Sequence, residues 1–244
     1  MSGTLRGGFP TTRWTLIERA RSNDPADRER AMEELCQRFW PAIYAAARAI
    51  ERDTDAAADL TQGFFSDVVL GRGLVVDANP ERGRLRTLLM VSLKHYARDG
   101  FRRNASRERA WRAPDHLLMV ERRAEARSGD PQAAFDRRWA AQILAESMDR
   151  CAAHYRRTGK GAHWDAFEAR VVTPLRGGPN APSMDVIAAK HDFKSASAVR
   201  AALQVVRHRM EAFVREVVAE TVGSNEFEDE VKLVWDSLGA RVSS

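Results

Sequence analysis

Cysteine is scarce in this chain of 244 residues, and Cys36 and Cys151 fit neither a disulfide framework nor a paired-cysteine zinc site. No run approaches the roughly 18 uninterrupted apolar residues that a membrane-spanning helix needs, so no membrane partner is expected. The opening MSGTLRGGFPTTRW lacks the apolar core of a secretory signal, and a reducing cytoplasm is the expected setting. Catalytic signatures are missing too: there is no nucleophile elbow, no dinucleotide fingerprint and no H-E-x-x-H. The Gly-rich stretch TPLRGGPNAP (173–182) lacks the Lys-Ser or Lys-Thr ending of a phosphate-binding loop. Cys151 and His154 make one C-x-x-H with no second pair at zinc-finger spacing, which reads as a packed cysteine beside a surface histidine. Acids such as Asp53 with Asp55, or Glu228 to Glu230, read as caps and exposed faces. No catalytic residue, metal ligand or cofactor is assigned.

What is abundant is arginine. It supplies 34 of the 39 basic residues, and its planar, always-charged fork suits bidentate contacts to phosphate and base edges. The net charge is only +5, so the distribution says more than the sum. Residues 81–112 hold ten Lys or Arg against three acids, whereas residues 216–238 hold seven acids against one lysine. The first segment attracts a polyanion and the second repels one.

Apolar periodicity near 3.6 runs through almost the whole chain and strand-like alternation is nearly absent, which predicts an all-α fold. Thr12 is placed to cap a short helix carrying Trp14 and Ile17. Asp24 and Pro25 supply a cap and a first helical residue for a stripe of Met32, Leu35, Cys36, Phe39, Trp40, Ile43, Tyr44 and Ala47. Pro41 is expected to kink or restart that helix. Thr54 is placed to cap a third helix with Leu60, Phe64, Phe65 and Val68 inward. Gly71, Gly73 and Asn79-Pro80 mark a loop before a long helix from near Arg84, whose buried side is Leu85, Leu88, Leu89, Leu93 and Tyr96. Lys94, Arg98 and Arg102 recur every fourth residue on another side of it. From Asn104 to about Gln132 the periodicity fades, predicting a linker with a short helix at 115–123. A second domain is expected from Phe135, with one helix carrying Leu144, Met148, Cys151 and Tyr155 and another from His163 to Val172.

The last part of that domain has a distinct pattern. Ser183 caps a short MDVIAAK helix, HDFKS makes a tight connection, and a long helix starts near Ala196 with Val199, Leu203, Val206, Met210, Phe213 and Val217 inward. A short helix, a turn and a longer helix form the helix-turn-helix pattern, whose second helix lays its exposed N-terminal side chains in the major groove. Here these are Ser195, Ser197, Arg200, Gln204 and Arg207, types that contact base edges. In and beyond the 84–103 helix, Tyr96, Phe101 and Trp111 interleave with Arg98, Arg102, Arg103, Arg107, Arg109 and Arg112. Cations that track phosphates and rings on which bases stack suit single-stranded nucleic acid. The alternative is that Tyr96 and Phe101 are core and the arginines a solvated face.

DLTQGFF (59–65) resembles the D-L-x-Q-x-x-F core of region 2.2 in bacterial RNA polymerase sigma factors. NPERGRLRTLLMVSLKHYARDGFRR (79–103) is similar to regions 2.3 and 2.4 of the extracytoplasmic-function group. The opening FPTTRWTLI and its spacing to DLTQ resemble one branch of that group. The likeness runs on through FDRRWA, the helix-turn-helix as region 4, and REVVAETV, covering roughly residues 9–222.

The resemblance implies a specificity subunit, not an enzyme, that joins core RNA polymerase and recognises and opens promoter DNA. It divides the chain into a region 2-like domain (9–112), a linker (113–134), a region 4-like domain (135–222) and an acidic extension (223–244). By carry-over, Asp59, Leu60, Gln62 and Phe65 meet the polymerase, and Lys94, His95, Arg98, Arg102 and Arg103 engage the minus-ten element. Ser195, Ser197, Arg200, Gln204 and Arg207 read the minus-thirty-five element. The loop from about Val75 to Arg86 helps to hold a base flipped from the stack. An anti-sigma factor or other regulator is a further partner that the resemblance allows. Two departures stand out. Gly63 replaces the acidic residue common after the glutamine and weakens the helix by about 1 kcal/mol relative to alanine. In the helix-turn-helix, His191-Asp192 stands where Leu-Gly is frequent. The acidic extension, with Phe227, Val231, Val234 and Leu238 on one face, is expected to dock on the protein's own body. Two other readings stand beside this one: a helix-turn-helix regulator that does not engage polymerase, and a helical adaptor that binds only protein.

Overall fold

The computed structural model describes residues 13–74, 78, 85–111, 129–220 and 227–242, with side chains for 16–74, 78, 85–103, 129–220 and 227–236. Every regular element among them is a helix. No described helix is long and apolar enough to cross a membrane. The chain divides into two compact units, the first comprising Met1–Ala141 with Ala219–Ser244 and the second Gln142–Val218.

In the first unit α1 (Arg13–Ala20), α3 (Thr54–Gly63) and α4 (Leu85–Trp111) pack against α2 (Pro25–Ile50). Asp24 starts α2 by accepting the Ala26 N–H at 3.0 Å, and Pro25 takes the first helical position, where its missing N–H is not needed. The expected restart at Pro41 does not occur. Phe39, Ala42 and Ile43 on either side of it are fully buried and hold the helix in the core despite the hydrogen bond that proline cannot donate. Trp40 leaves the predicted stripe: one residue after Phe39 it points about 100° away round the helix, and it is 39% exposed. The cap of α3 is Asp53 rather than Thr54, because the carboxylate reaches the Ala56 N–H at 2.8 Å and its charge suits a helix N-terminus. Beyond Gly63 the helix widens into a π-helical stretch, Phe64–Leu70, closed by the Gly71 N–H on the Ser66 carbonyl at 2.9 Å.

α4 stays helical to Trp111, past the point where periodicity fades in the sequence. Thr12, Arg112, most of the expected linker and its short helix at 115–123 lie outside the described residues. α5 (Pro131–Arg157) begins four residues ahead of Phe135. Its first turns belong to the first unit, where Trp139 stacks between Phe39 at 5.3 Å and Phe135 at 6.0 Å.

The second unit continues α5 and adds α6 (Gly161–Phe167), α7 (Met184–Lys190) and α8 (Ala196–Ala219). α6 widens into a π-helical stretch over Glu168–Val172 and ends in a last turn, Thr173–Leu175, inside the expected loop. Cys151, Tyr155, Trp164, Ile187, Val199 and Val206 are buried in this unit. Burial pushes the Cys151 thiol up to about 11, so it packs as a neutral group. His154 is half-buried rather than on the surface, edge-on to Tyr155 at 5.4 Å and Phe213 at 5.9 Å. Burial first, then Arg209, lowers its pKa.

The acidic extension forms α9 (Phe227–Val242), which belongs to the first unit. Its stripe docks as expected: Val231 and Val234 are buried and Phe227 is half-buried, while Leu238 lies outside the described side chains. Glu230 overturns the reading of its acidic run as an exposed face. It is 0% exposed, accepting the Arg86 Nε–H at 2.8 Å and the Trp139 Nε1–H at 2.9 Å. Arg86 also donates through Nη1 to Asp136 at 2.7 Å. A carboxylate persists at such depth only when charged donors compensate its lost water.

Candidate nucleic-acid interface

Leu85, Leu89, Leu93 and Ala97, spaced by four, turn one side of α4 into the core and so set its other side outward. On that outer side Lys94, His95, Arg98, Arg102 and Arg103 are all exposed. None of them is paired with a carboxylate among the described residues. Arg98 reaches only along its own helix, with Nη2 2.7 Å from His95 Nδ1.

Tyr96 is not an open platform for a base. Its half-buried ring lies edge-on to Phe64 at 6.2 Å, and its hydroxyl donates to Asp67 Oδ2 at 2.8 Å. Burial first, then the Asp67 bond, raises its pKa. Gly63 stands against this ring: a Cβ there would come within 2.5 Å of the Tyr96 hydroxyl oxygen, so a larger residue requires the outer end of Tyr96 to shift. Phe101 is half-buried as well, while the side chains of Arg107, Arg109 and Trp111 lie outside those described.

Beside the stripe a cleft of about 240 Å³ is lined by Arg72, Leu74, His95, Tyr96, Asp99 and Arg103. Three basic side chains and one carboxylate round a concave space suit a polar planar group next to phosphate. Leu74 in this lining is followed in sequence by the expected loop from Val75, of which residues 75–77 and 79–84 lie outside those described. Arg86 at the far end of that loop is not available to a base in this structure, because Glu230 and Asp136 hold it in the interior.

On α3, Asp59 and Gln62 are exposed and Leu60 is half-buried. Phe65 is buried, its ring stacked under Trp40 at 5.2 Å, so Phe65 supports the patch from beneath and Trp40 supplies the exposed ring. Adjacency was the available signal, since Phe39 and Trp40 cannot both face one core from consecutive helical positions. Thr61 is fully buried, its Oγ1 donating to the Ala57 carbonyl at 2.7 Å.

In the second unit Ser197, Arg200, Gln204 and Arg207 recur at intervals of three, four and three along one exposed side of α8. Arg200 and Arg207 have no carboxylate partner among the described residues. Ser195 is exposed but serves the helix: its Oγ accepts the Ala198 N–H at 3.3 Å and lies 2.7 Å from Ser197 Oγ. The preceding turn is fixed by Phe193, whose ring packs on His163 at 5.5 Å, which in turn stacks on Tyr155 at 6.1 Å. Burial lowers the His163 pKa, with Lys160 adding to it.

Asp192 takes the left-handed position of this turn, with φ 56°. Asp tolerates that region better than most side chains, and glycine better still. Asp192→Val is expected to destabilise the second unit by about 1–2 kcal/mol, whereas Asp192→Gly keeps its stability or raises it. Urea midpoints of the two variants test this, and equal midpoints would place the strain elsewhere.

The chain matches no protein-family model, no curated protein and no solved structure. Residues and geometry therefore carry the functional reading.

Proposed function

We propose that the protein is a promoter-recognising sigma subunit of the extracytoplasmic-function type, acting with core RNA polymerase and not as an enzyme by itself. One observation carries this reading: two separate compact units each present a helix side whose basic groups are exposed and unpaired with carboxylates among the described residues. In the first these are Lys94, Arg98, Arg102 and Arg103, and in the second Arg200 and Arg207 flanking Gln204. The α4 stripe would supply salt-dependent affinity through phosphates, and the α8 side would supply sequence preference through base edges. The cleft beside α4 would receive a base lifted from the stack, an unstacking cost that binding offsets. Asp59, Gln62 and the Trp40 ring would form the patch that meets polymerase. Two weak modules on one chain gain from effective concentration when both promoter elements lie within reach.

Run-off transcription with purified core polymerase on a pool of genomic promoter fragments tests the reading. Sequence-selective transcripts are expected, and none above core alone overturns it. Gln62→Ala is expected to weaken copurification with core enzyme while leaving circular dichroism unchanged, because the side chain is exposed. Unfolding of that variant would instead assign Gln62 a structural role. Salt-dependent DNA binding without polymerase capture would favour the helix-turn-helix regulator.

A further inference from the structure

The second unit holds a cleft of about 390 Å³ that lies apart from the groove-facing side of α8. Its polar lining is His154, Thr158, Lys160, His208 and Arg209, and Val205, Ala212 and the Tyr155 ring make the rest. Lys160 closes the turn that ends α5, its N–H on the Tyr155 carbonyl at 2.9 Å, and Arg209 stands midway along α8. Two elements thus bring two cations to one concave space. Both are exposed, neither is paired with a carboxylate among the described residues, and the described lining holds no carboxylate. Glu211 stands beside the cleft, its Oε2 3.7 Å from His208 Nδ1. A helix C-terminus attracts cations and accounts for Lys160, but not for Arg209 in the middle of a helix. The guanidinium of Arg209 leans on Phe213, its Cζ 5.9 Å from the ring centroid, and that ring meets His154 of α5 edge-on at 5.9 Å.

We propose that this cleft binds a free nucleotide with two or more phosphates, held by Lys160 and Arg209, while Val205 and the His208 ring receive the base. Two cations on separate elements repel each other until an anion lies between them, and an ammonium and a guanidinium fork take different phosphate oxygens. The volume exceeds what one phosphate fills and falls in the range of small-ligand sites. Thr158 Oγ1 donates to the His154 carbonyl at 2.9 Å, so its lone pairs can accept a sugar hydroxyl. Helical phase separates this ligand from a DNA backbone. At about 100° per residue, Val205, His208, Arg209 and Ala212 centre about 110° round α8 from Ser197, Arg200, Gln204 and Arg207. A duplex against the latter side leaves the cleft open.

Calorimetric titration of the full chain with ADP and with GDP at low salt tests the proposal. Binding is expected, weakened about tenfold by Lys160→Gln and by Arg209→Gln, the scale of one charged hydrogen bond. Circular dichroism of both variants should be unchanged, because both side chains are exposed. Lys160→Gln decides alone if loss of the Phe213 contact unfolds the other. The His154 imidazole reports occupancy. Burial first, then Arg209, Arg157 and Lys160, lowers its pKa, and Glu216 acts the other way. A bound phosphate offsets those cations, so an NMR titration of the ring should move to higher pH with ADP present. No binding of either nucleotide, full affinity in a folded Lys160→Gln, or an unmoved His154 titration overturns the proposal. Inorganic phosphate that binds as well as ADP assigns the cleft to free phosphate and overturns the nucleotide. Displacement of ADP by a duplex oligonucleotide assigns the two cations to the DNA backbone and overturns the free ligand.

Discussion

Arg86→Met is expected to lower the stability of the first unit by about 3–5 kcal/mol, the range for removing one partner of a buried ion pair. The loss comes from what remains. Glu230 is fully buried and Asp136 mostly so, and without the guanidinium each carboxylate keeps its desolvation cost and loses its strongest donor. Adding Glu230→Gln to Arg86→Met should recover a large part of the loss, since the amide oxygen can still accept the Trp139 N–H and no charge is left at that depth. Asp136 retains some exposure and can be hydrated. The measurement is hydrogen exchange of the first unit's core amides in urea, because a two-unit chain need not unfold in one step. A loss below about 1 kcal/mol for Arg86→Met alone, the scale of an ordinary hydrogen bond, would mean that both carboxylates reach water and that the cluster contributes little.

That cluster marks the limit of what the sequence makes legible. Helix starts are legible where a nearby side chain creates them. Asp24 and Ser183 each cap an N–H within three residues, and both helix beginnings follow from the local pattern. Ala196 and the MDVIAAK helix are equally local. The outward positions on α4 and α8 are legible because whatever lies off an apolar stripe faces water. Arg86 and Glu230, however, are 144 residues apart, and Trp139 and Glu230 are 91 apart. Helical phase sets Glu230 beside the stripe of Phe227, Val231 and Val234 and leaves Glu228 and Asp229 off it, but nothing local names its partners, and an acidic run is ordinarily a solvated face. Tyr96 sits in both the apolar series of α4 and the row of arginines. Spacing cannot choose between them, and the close approach to Gly63 does. Ser195 likewise belongs to two patterns, a groove-facing polar residue and a helix cap, and its Ala198 bond shows the second in use.

Affinity of the full chain for a single DNA strand is expected to fall roughly 50-fold between about 50 and 200 mM salt, because four stripe cations releasing about 0.7 ions each give a slope near −3. Lys94, Arg98, Arg102 and Arg103 are exposed, so each can exchange its water and counterions for phosphate without first breaking a bond to a carboxylate among the described residues. Arg98→Ala combined with Arg102→Ala should halve the slope to about −1.4 and leave a fall of roughly sevenfold over the same interval. Exposed substitutions of this kind change stability by no more than about 0.5 kcal/mol, so the fold serves as an internal control. Fluorescence anisotropy of one labelled strand across a salt series measures the slope directly. A protein-binding adaptor whose arginines only keep it soluble would show a flat line. A steep line that the double variant does not change would move the phosphate contacts off α4, and the stripe would then be the solvated face that a basic helix usually is.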